Sequence, residues 1–479
     1  MIVQLFTLFS HILLVLSLGF YLITNLQWYG YKLERVVFKH KRYSWHLLYF
    51  IVPLFAYYLT GIYFWIYFYF AYLPSLYIWH KKIDKKLVLT DRVKRFFIFL
   101  ILAVVFQDFL CLVLKSCKIF GTVLPLLASL GASYLFEKIL FNGYKRTARK
   151  KLEKMKDLKI VAVTASYGKT SIKNFLYQIL KDDFKVYKTP RSVNTIGGLV
   201  KDVNDSLPKE TSVYIAEAGA RERGDIDEIA RFLNHHYAVV GKIGPQHIEY
   251  FKTLENIRNT KMEILNSKNL IKAFVHESAK VKPDEKVVIF GKEIKEIKAD
   301  LEGISFKIEE QGIEYSFQAP VLGAFNAVNI TAAILVAREL GLDMETIRKR
   351  VSKLKSVEHR LQKIKAGGKI IIDDSFNGNF EGMSASYELV SSYKGRKVLV
   401  TPGIMESTKE DNEKLARKMD EVFDLVIITG KSNAEILASN IKRARKIILS
   451  DKSKLEEILA KETGAGDLIL FSNDAPGFL

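Results

Sequence analysis

Between Lys159 and Leu180 the chain reads Lys-Ile-Val-Ala-Val-Thr-Ala-Ser-Tyr-Gly-Lys-Thr-Ser-Ile and runs on into an amphipathic segment. Few structures accommodate that order. Ile160 to Thr164 is a short unbroken run of apolar and β-branched residues, as in a strand buried on both faces. Ala165-Ser166-Tyr167-Gly168 makes a tight turn, and Lys169-Thr170-Ser171 opens a helix from Ile172 to Leu180. A strand, a glycine turn and a helix start form an anion cradle, because the free N–H groups of the first helical turn point at the ligand. In a phosphate loop of this kind Lys169 supplies charge to the β- and γ-phosphates of ATP, and Thr170 supplies a hydroxyl to Mg2+. The competing reading is an ordinary strand–turn–helix with a chance Gly-Lys-Thr. The flanking strand and helix weigh against it.

The net charge of +20 would ordinarily suggest nucleic acid. Its distribution argues otherwise, because much of it lies in three clusters beside apolar runs: Lys32 to Arg42, Lys81 to Arg95 and Lys145 to Lys159. Basic residues flanking apolar stretches are the topology signal of membrane proteins. Ile2 to Leu26, Phe96 to Leu114 and Ile119 to Leu140 are each about long enough to cross a bilayer. Leu47 to Trp79 is free of charge, too long for one upright span and short for two. A hairpin near Thr60-Gly61 would put all three basic clusters on one side. Residues 1–145 therefore read as a multi-span helical membrane domain, with the remainder of the chain in the cytoplasm. The two cysteines, Cys111 and Cys117, allow no Cys-based zinc site.

Beyond Leu180 strand-like and helix-like patches alternate, which implies a parallel sheet covered by helices, with ligands gathered at the carboxyl ends of its strands. Ser212 to Glu217 ends in a carboxylate suited to Mg2+. Ala238 to His247 ends in a histidine within a Gly-Pro turn, and Thr189 to Gly198 is a polar loop. Taken singly, each is equally an ordinary solvated strand end or surface loop. Lys261, on a helix, reads as a solvated cation. From Arg360 to Leu479 the α/β rhythm repeats without a Gly-x-Gly-x-x-Gly, so a small Rossmann-like layer is expected and a dinucleotide site is not.

These motifs together have a family likeness. Gly168-Lys-Thr-Ser171, Glu217-Ala-Gly-Ala220, Gly244-Pro-Gln-His-Ile-Glu249 and Asn259-Thr-Lys-Met-Glu-Ile264 resemble, in order, those of the Mur ligases of peptidoglycan synthesis. Gly323-Ala-Phe-Asn-Ala-Val-Asn329, Glu358-His-Arg-Leu361 and Ile371-Ile-Asp-Asp-Ser-Phe-Asn377-Gly-Asn379 extend the likeness. The last is similar to the signature of the branch that adds D-Ala-D-Ala to UDP-MurNAc-tripeptide.

The resemblance implies a P-loop ligase domain over residues 146–355 and a Rossmann-like ligase domain over 356–479. It implies that Ala165 to Ser171 cradle ATP, and that Thr170, Glu217, His247 and Lys261 surround Mg2+. Lys261 matches the lysine that family members carbamylate. Asn326 and Asn329 would meet the base, while Arg360 and Asp374 would reach ATP from the last domain. Lys169, His247, Lys261, Arg360 and Asp374 are then the catalytic set. The implied partners are a nucleotide-sugar peptide, D-Ala-D-Ala, the lipid bilayer and other wall enzymes at the membrane.

Two departures stand out. Ala165 occupies the position of the family's first loop glycine, and the apolar third stands where the family has its UDP-sugar domain. Three other functions compete: a Mur-type ligase with another acceptor, a membrane transporter or sensor driven by a P-loop ATPase, and a non-catalytic binding module.

Overall fold

The computed structural model describes residues 2–38, 42–83, 85–114, 120–246, 248–310, 312–376, 378–405, 407–430 and 432–474. The chain divides into two compact units, Met1–Gly143 and Tyr144–Leu479.

Three helices, Gln4–Trp28, Asp91–Leu114 and Val123–Lys154, are long and apolar enough to cross a membrane. The stretch 47–79 is a hairpin. Its first arm stops at Thr60, whose hydroxyl donates to the Ala56 carbonyl at 2.8 Å. Gly61 then takes φ +57 and reverses the chain, a conformation a glycine adopts without penalty. The arms meet along their length: the Tyr72 hydroxyl donates to the Tyr49 carbonyl at 3.0 Å, and the Tyr49 and Trp79 rings lie 5.5 Å apart. Polar contacts lie inside this unit. His11 Nδ1 lies 2.9 Å from Asp108 Oδ2 with both side chains buried, and the Gln107 amide donates to the Gly121 carbonyl at 2.6 Å.

The second unit holds three sheets. In the first, β1 (Lys159–Thr164), β2 (Val186–Lys188), β3 (Val213–Glu217), β4 (Tyr237–Val240), β5 (Lys272–His276) and β6 (Val287–Phe290) lie in the order β2-β3-β1-β4-β5-β6. Every pairing is parallel. β1 sits centrally and is buried from Ile160 to Thr164, which is why its sequence is apolar without alternation. The helix Lys169–Leu180 buries Ile172, Phe175, Leu176, Ile179 and Leu180, the i, i+3, i+4, i+7, i+8 stripe of a helix with one face in a core. Across from it packs the alanine-rich helix Asn326–Glu339, buried nearly all round.

A three-stranded antiparallel sheet comes next, formed by β7 (Ile294–Ala299), β8 (Ile304–Glu310) and β9 (Ile313–Ala319). The last sheet contains β10 (Gln362–Ala366), β11 (Lys369–Asp374), β12 (Lys397–Thr401), β13 (Leu425–Ile428), β14 (Arg445–Ile448) and β15 (Leu468–Ser472). Their order is β10-β11-β15-β12-β13-β14. All are parallel except β10, which runs antiparallel to β11. β10 has no clear sequence signal: Gln362-Lys-Ile-Lys-Ala366 carries too much charge to read as a strand, and pairs at the sheet edge where both faces tolerate it.

His235, fully buried just before β4, supplies a stability test. Burial pushes its imidazole down from 6.5 to about 4. Between those values the unfolded chain binds the extra proton, so stability is lost as pH falls through that window. The expected loss is about 3 kcal/mol. Denaturant unfolding of His235→Gln at pH 7 and pH 5 should show a shallower pH dependence than the parent; an identical dependence refutes the assignment.

Candidate active site

The phosphate loop is built as the strand–turn–helix pattern requires. β1 delivers the chain to Ala165, Gly168 turns it at φ +84, and the helix begins at Lys169. Ala165 is not among the residues with positive φ, so the methyl in place of a glycine carries no backbone strain. The Lys169 ammonium folds over the turn, donating to the carbonyls of Ala165 at 2.8 Å and Ser166 at 3.2 Å. Burial pushes it down to about 8, with Glu217 opposing, so it is charged at neutral pH. The Ser166 hydroxyl donates to the Gly244 carbonyl at 2.9 Å, and Ser171 is buried. Tyr167 lies against Gly244, where an added Cβ would fall 2.4 Å from its ring.

Asn329 braces the loop from behind. A Cβ on Gly168 would fall 2.1 Å from its Oδ1. Asn329 Nδ2 donates to Asn326 Oδ1 at 2.8 Å, and Asn326 Nδ2 to the Leu322 carbonyl at 2.7 Å. Gly168→Ala therefore combines a left-handed residue with a direct overlap. The backbone alone costs about 1–2 kcal/mol, and nucleotide affinity should fall about a hundredfold or more. Titration with a fluorescent ADP analogue checks this; near-parental affinity contradicts the packing.

Glu217 closes β3, beside β1 in the sheet, and its side chain is buried. Its Oε2 accepts from the Thr170 hydroxyl at 3.0 Å and pairs with the Lys173 ammonium at 3.1 Å. Its Oε1 accepts from Asn194 Nδ2 at 3.1 Å. Adjacent oxygens in an octahedral Mg2+ shell with bonds of 2.0–2.1 Å stand about 2.9 Å apart. The Thr170–Glu217 pair already has that spacing. One hydroxyl and one carboxylate also suit Mg2+, which keeps several waters and binds nucleotide phosphates. Among the described residues no cluster of three or more His, Cys, Asp or Glu side chains offers a closed metal cage. His247 lies outside the described residues.

Lys261, expected to be a solvated cation on residue pattern alone, is instead 4% exposed. The helix Leu254–Met262 turns it inward. Burial, reinforced by the Lys169 charge and opposed by Asp225, Glu217 and Glu263, pushes its amine well below the usual lysine range.

From the last domain, Arg360 donates to the Phe376 carbonyl, and Asp374 Oδ1 accepts from the Leu361 N–H at 3.3 Å. Burial lowers Arg360, while Asp374 and the central domain's Glu217 pull it back up. Arg360 thus already feels the Glu217 carboxylate. The loop at Gly403 is held by Asn412, Asn433 and Asn473, whose amides donate to the Ile404, Pro402 and Gly403 carbonyls at 3.1, 3.0 and 2.8 Å. Sequence reasoning misses Lys173 and Asn194. A signal for Lys173 exists, since it stands four residues after Lys169 and hence on the same helix face.

Two family models match the chain: the Mur ligase middle domain over residues 163–337, and the Mur ligase glutamate ligase domain over residues 359–473. UDP-N-acetylmuramoyl-tripeptide–D-alanyl-D-alanine ligase of Bacillus subtilis is 29% identical over 65% of this chain and 72% of its own length. The enzyme of the same name from Borreliella burgdorferi is 26% identical, over 66% and 68%. Among solved structures, the MurF ligase of Thermotoga maritima in complex with ADP superposes with a TM-score of 0.60 at 27% identity. It covers 70% of this chain and 80% of that one. A MurF from Acinetobacter baumannii gives a TM-score of 0.61 at 22% identity, over 70% and 78%, and shares the fold. With its phosphate loop, strand-end carboxylate and buried lysine placed in those matched domains, the chain belongs to the Mur ligase family.

Proposed function

We propose that the protein is an ATP-dependent peptide ligase of peptidoglycan precursor synthesis that joins D-Ala-D-Ala to UDP-MurNAc-tripeptide. The observation that carries this reading is the convergence of Lys169, the Thr170–Glu217 oxygen pair and the buried Lys261, in a chain whose relatives bear that enzyme's name.

The acceptor carboxylate attacks the γ-phosphate, giving an acyl phosphate and ADP. The amine of D-Ala-D-Ala then attacks the acyl carbon and releases phosphate. Bound Mg2+ would neutralise phosphoryl charge, held by Thr170 and Glu217, with His247 and Lys261 assigned to the same shell by resemblance. Lys169 offsets the charge on the β- and γ-phosphates, and Arg360 adds a cation from the last domain, the preorganised electrostatics that phosphoryl transfer needs. Asn326 and Asn329 hold the loop to which the nucleotide binds, and Asp374 anchors the segment carrying Arg360. Docking of the last domain also excludes water from the acyl phosphate.

The deciding assay measures phosphate release from ATP by detergent-purified protein with UDP-MurNAc-tripeptide, with and without D-Ala-D-Ala. Release that requires both, with the amide product seen by mass, supports the reading. Turnover indifferent to both overturns it and favours a P-loop-driven transporter. A requirement for a different amine makes the protein a Mur-type ligase with another acceptor.

The first unit is proposed to be a multi-span membrane domain, with the three basic clusters and the ligase domains on the cytoplasmic side. Supporting this, Leu102, Phe106, Phe109 and Val113 form one exposed stripe on the helix Asp91–Leu114, and a stripe of that kind finds its solvent in lipid. Anchoring would hold the ligase beside the lipid-linked steps of wall synthesis.

A further inference from the structure

Lys173 has no part in the chemistry assigned above, yet it is one of the most deeply buried charges in the protein, with a side chain 1% exposed. It leaves the phosphate-loop helix one turn after Lys169. Its ammonium meets two groups: Glu217 Oε2 at 3.1 Å and the Arg191 carbonyl. Arg191 belongs to the loop between β2 and the helix Ile196–Asp205, and holds φ +44, a conformation that non-glycine residues keep only when their surroundings impose it. The loop is tied to Glu217 and the residues just after it at three more points. Asn194 Nδ2 donates to Glu217 Oε1 at 3.1 Å, the Glu217 N–H donates to Thr189 Oγ1 at 3.2 Å, and the Gly219 N–H donates to the Asn194 carbonyl at 2.7 Å.

We propose that Lys173 is a positioning residue that ties the loop 189–195 to Glu217, so that metal–nucleotide binding and ordering of this loop are linked. The physical reason is the shared carboxylate. A buried ammonium is retained only where its charge is paired, and here the pair is completed by a loop carbonyl that Lys173 alone brings to Glu217. Fixing Glu217 around a metal therefore fixes the loop through two routes, Lys173 at one oxygen and Asn194 at the other. Neutral replacements at Lys173 break the first route and leave the phosphate contacts of Lys169 and Thr170 in place.

The inference rests on the ligase reading only in that magnesium and ADP must bind. Its test needs no acceptor and no turnover. Limited trypsin digestion of the full chain in detergent, with mass spectrometry of the cut after Arg191, reports on the loop with and without Mg2+ and ADP. A lost hydrogen-bonded buried charge should raise that cut about tenfold or more in Lys173→Met. Mg2+ with ADP should slow the cut in the parent and in Lys173→Arg, which keeps the charge, but not in Lys173→Met. A role in stability alone would raise the baseline and leave the nucleotide-dependent protection intact, and that result overturns the proposal. So does a cut in Lys173→Met within twofold of the parent. Should Lys173→Met be digested everywhere, Glu217→Gln decides: a rise confined to the Arg191 cut supports the link, and no rise refutes it.

Discussion

Lys169→Met in the full-length protein is expected to slow amide formation about a thousandfold. Lys169 begins the helix after the turn, and its ammonium rests on the carbonyls of Ala165 and Ser166. Those two oxygens hold it over the turn. Methionine has similar length and no charge, so packing is kept while the cation at the γ-phosphate is removed. Arginine should not rescue, because a planar guanidinium cannot sit on two carbonyls of one turn as a compact ammonium does. Phosphate release and product mass are the readouts. A loss below tenfold would mean that the phosphoryl charge is neutralised elsewhere.

The second large effect is expected at Lys261. A neutral buried amine can add to CO2, forming an N–C bond, releasing a proton and leaving a carbamate anion. The structure favours this in two ways. Burial and the Lys169 charge weaken the amine's hold on its proton, and the same Lys169 charge would then attract the carbamate. Both Lys261→Ala and Lys261→Arg should lose about a hundredfold or more in rate, the arginine because it keeps a cation where an anion is needed. Removing dissolved CO2 should lower the activity of the parent, and bicarbonate should restore it. With 13C-labelled CO2, a carbamate resonance present in the parent should vanish in Lys261→Arg. A parent insensitive to CO2, with no such resonance, would rule the carbamate out.

Legibility varies with the reach of the interactions. The phosphate loop can be read in full, because strand, turn and helix start are local and contiguous. Glu217 can be placed at a strand end from Ser212-Val-Tyr-Ile-Ala-Glu217 itself. Lys261 cannot: its helix reads as polar, and its burial comes from how that helix packs. Asn329 matches a motif, yet its contact with Gly168 joins residues far apart in the chain and only the fold brings them together. Lys173 looks like one more helix-surface cation until its carboxylate partner arrives from β3.

What the sequence by itself determined is whatever depends on short-range pattern: the apolar runs of the first third, the parallel α/β rhythm beyond them, and the strand–Gly–Lys–Thr–helix cradle. The tertiary structure alone decided two things: the inward turn of Lys261, and the link from Arg191 through Lys173 to Glu217. Each depends on burial and on charges paired between distant segments, and a buried charge has no signature of its own along the chain until its partner is in place.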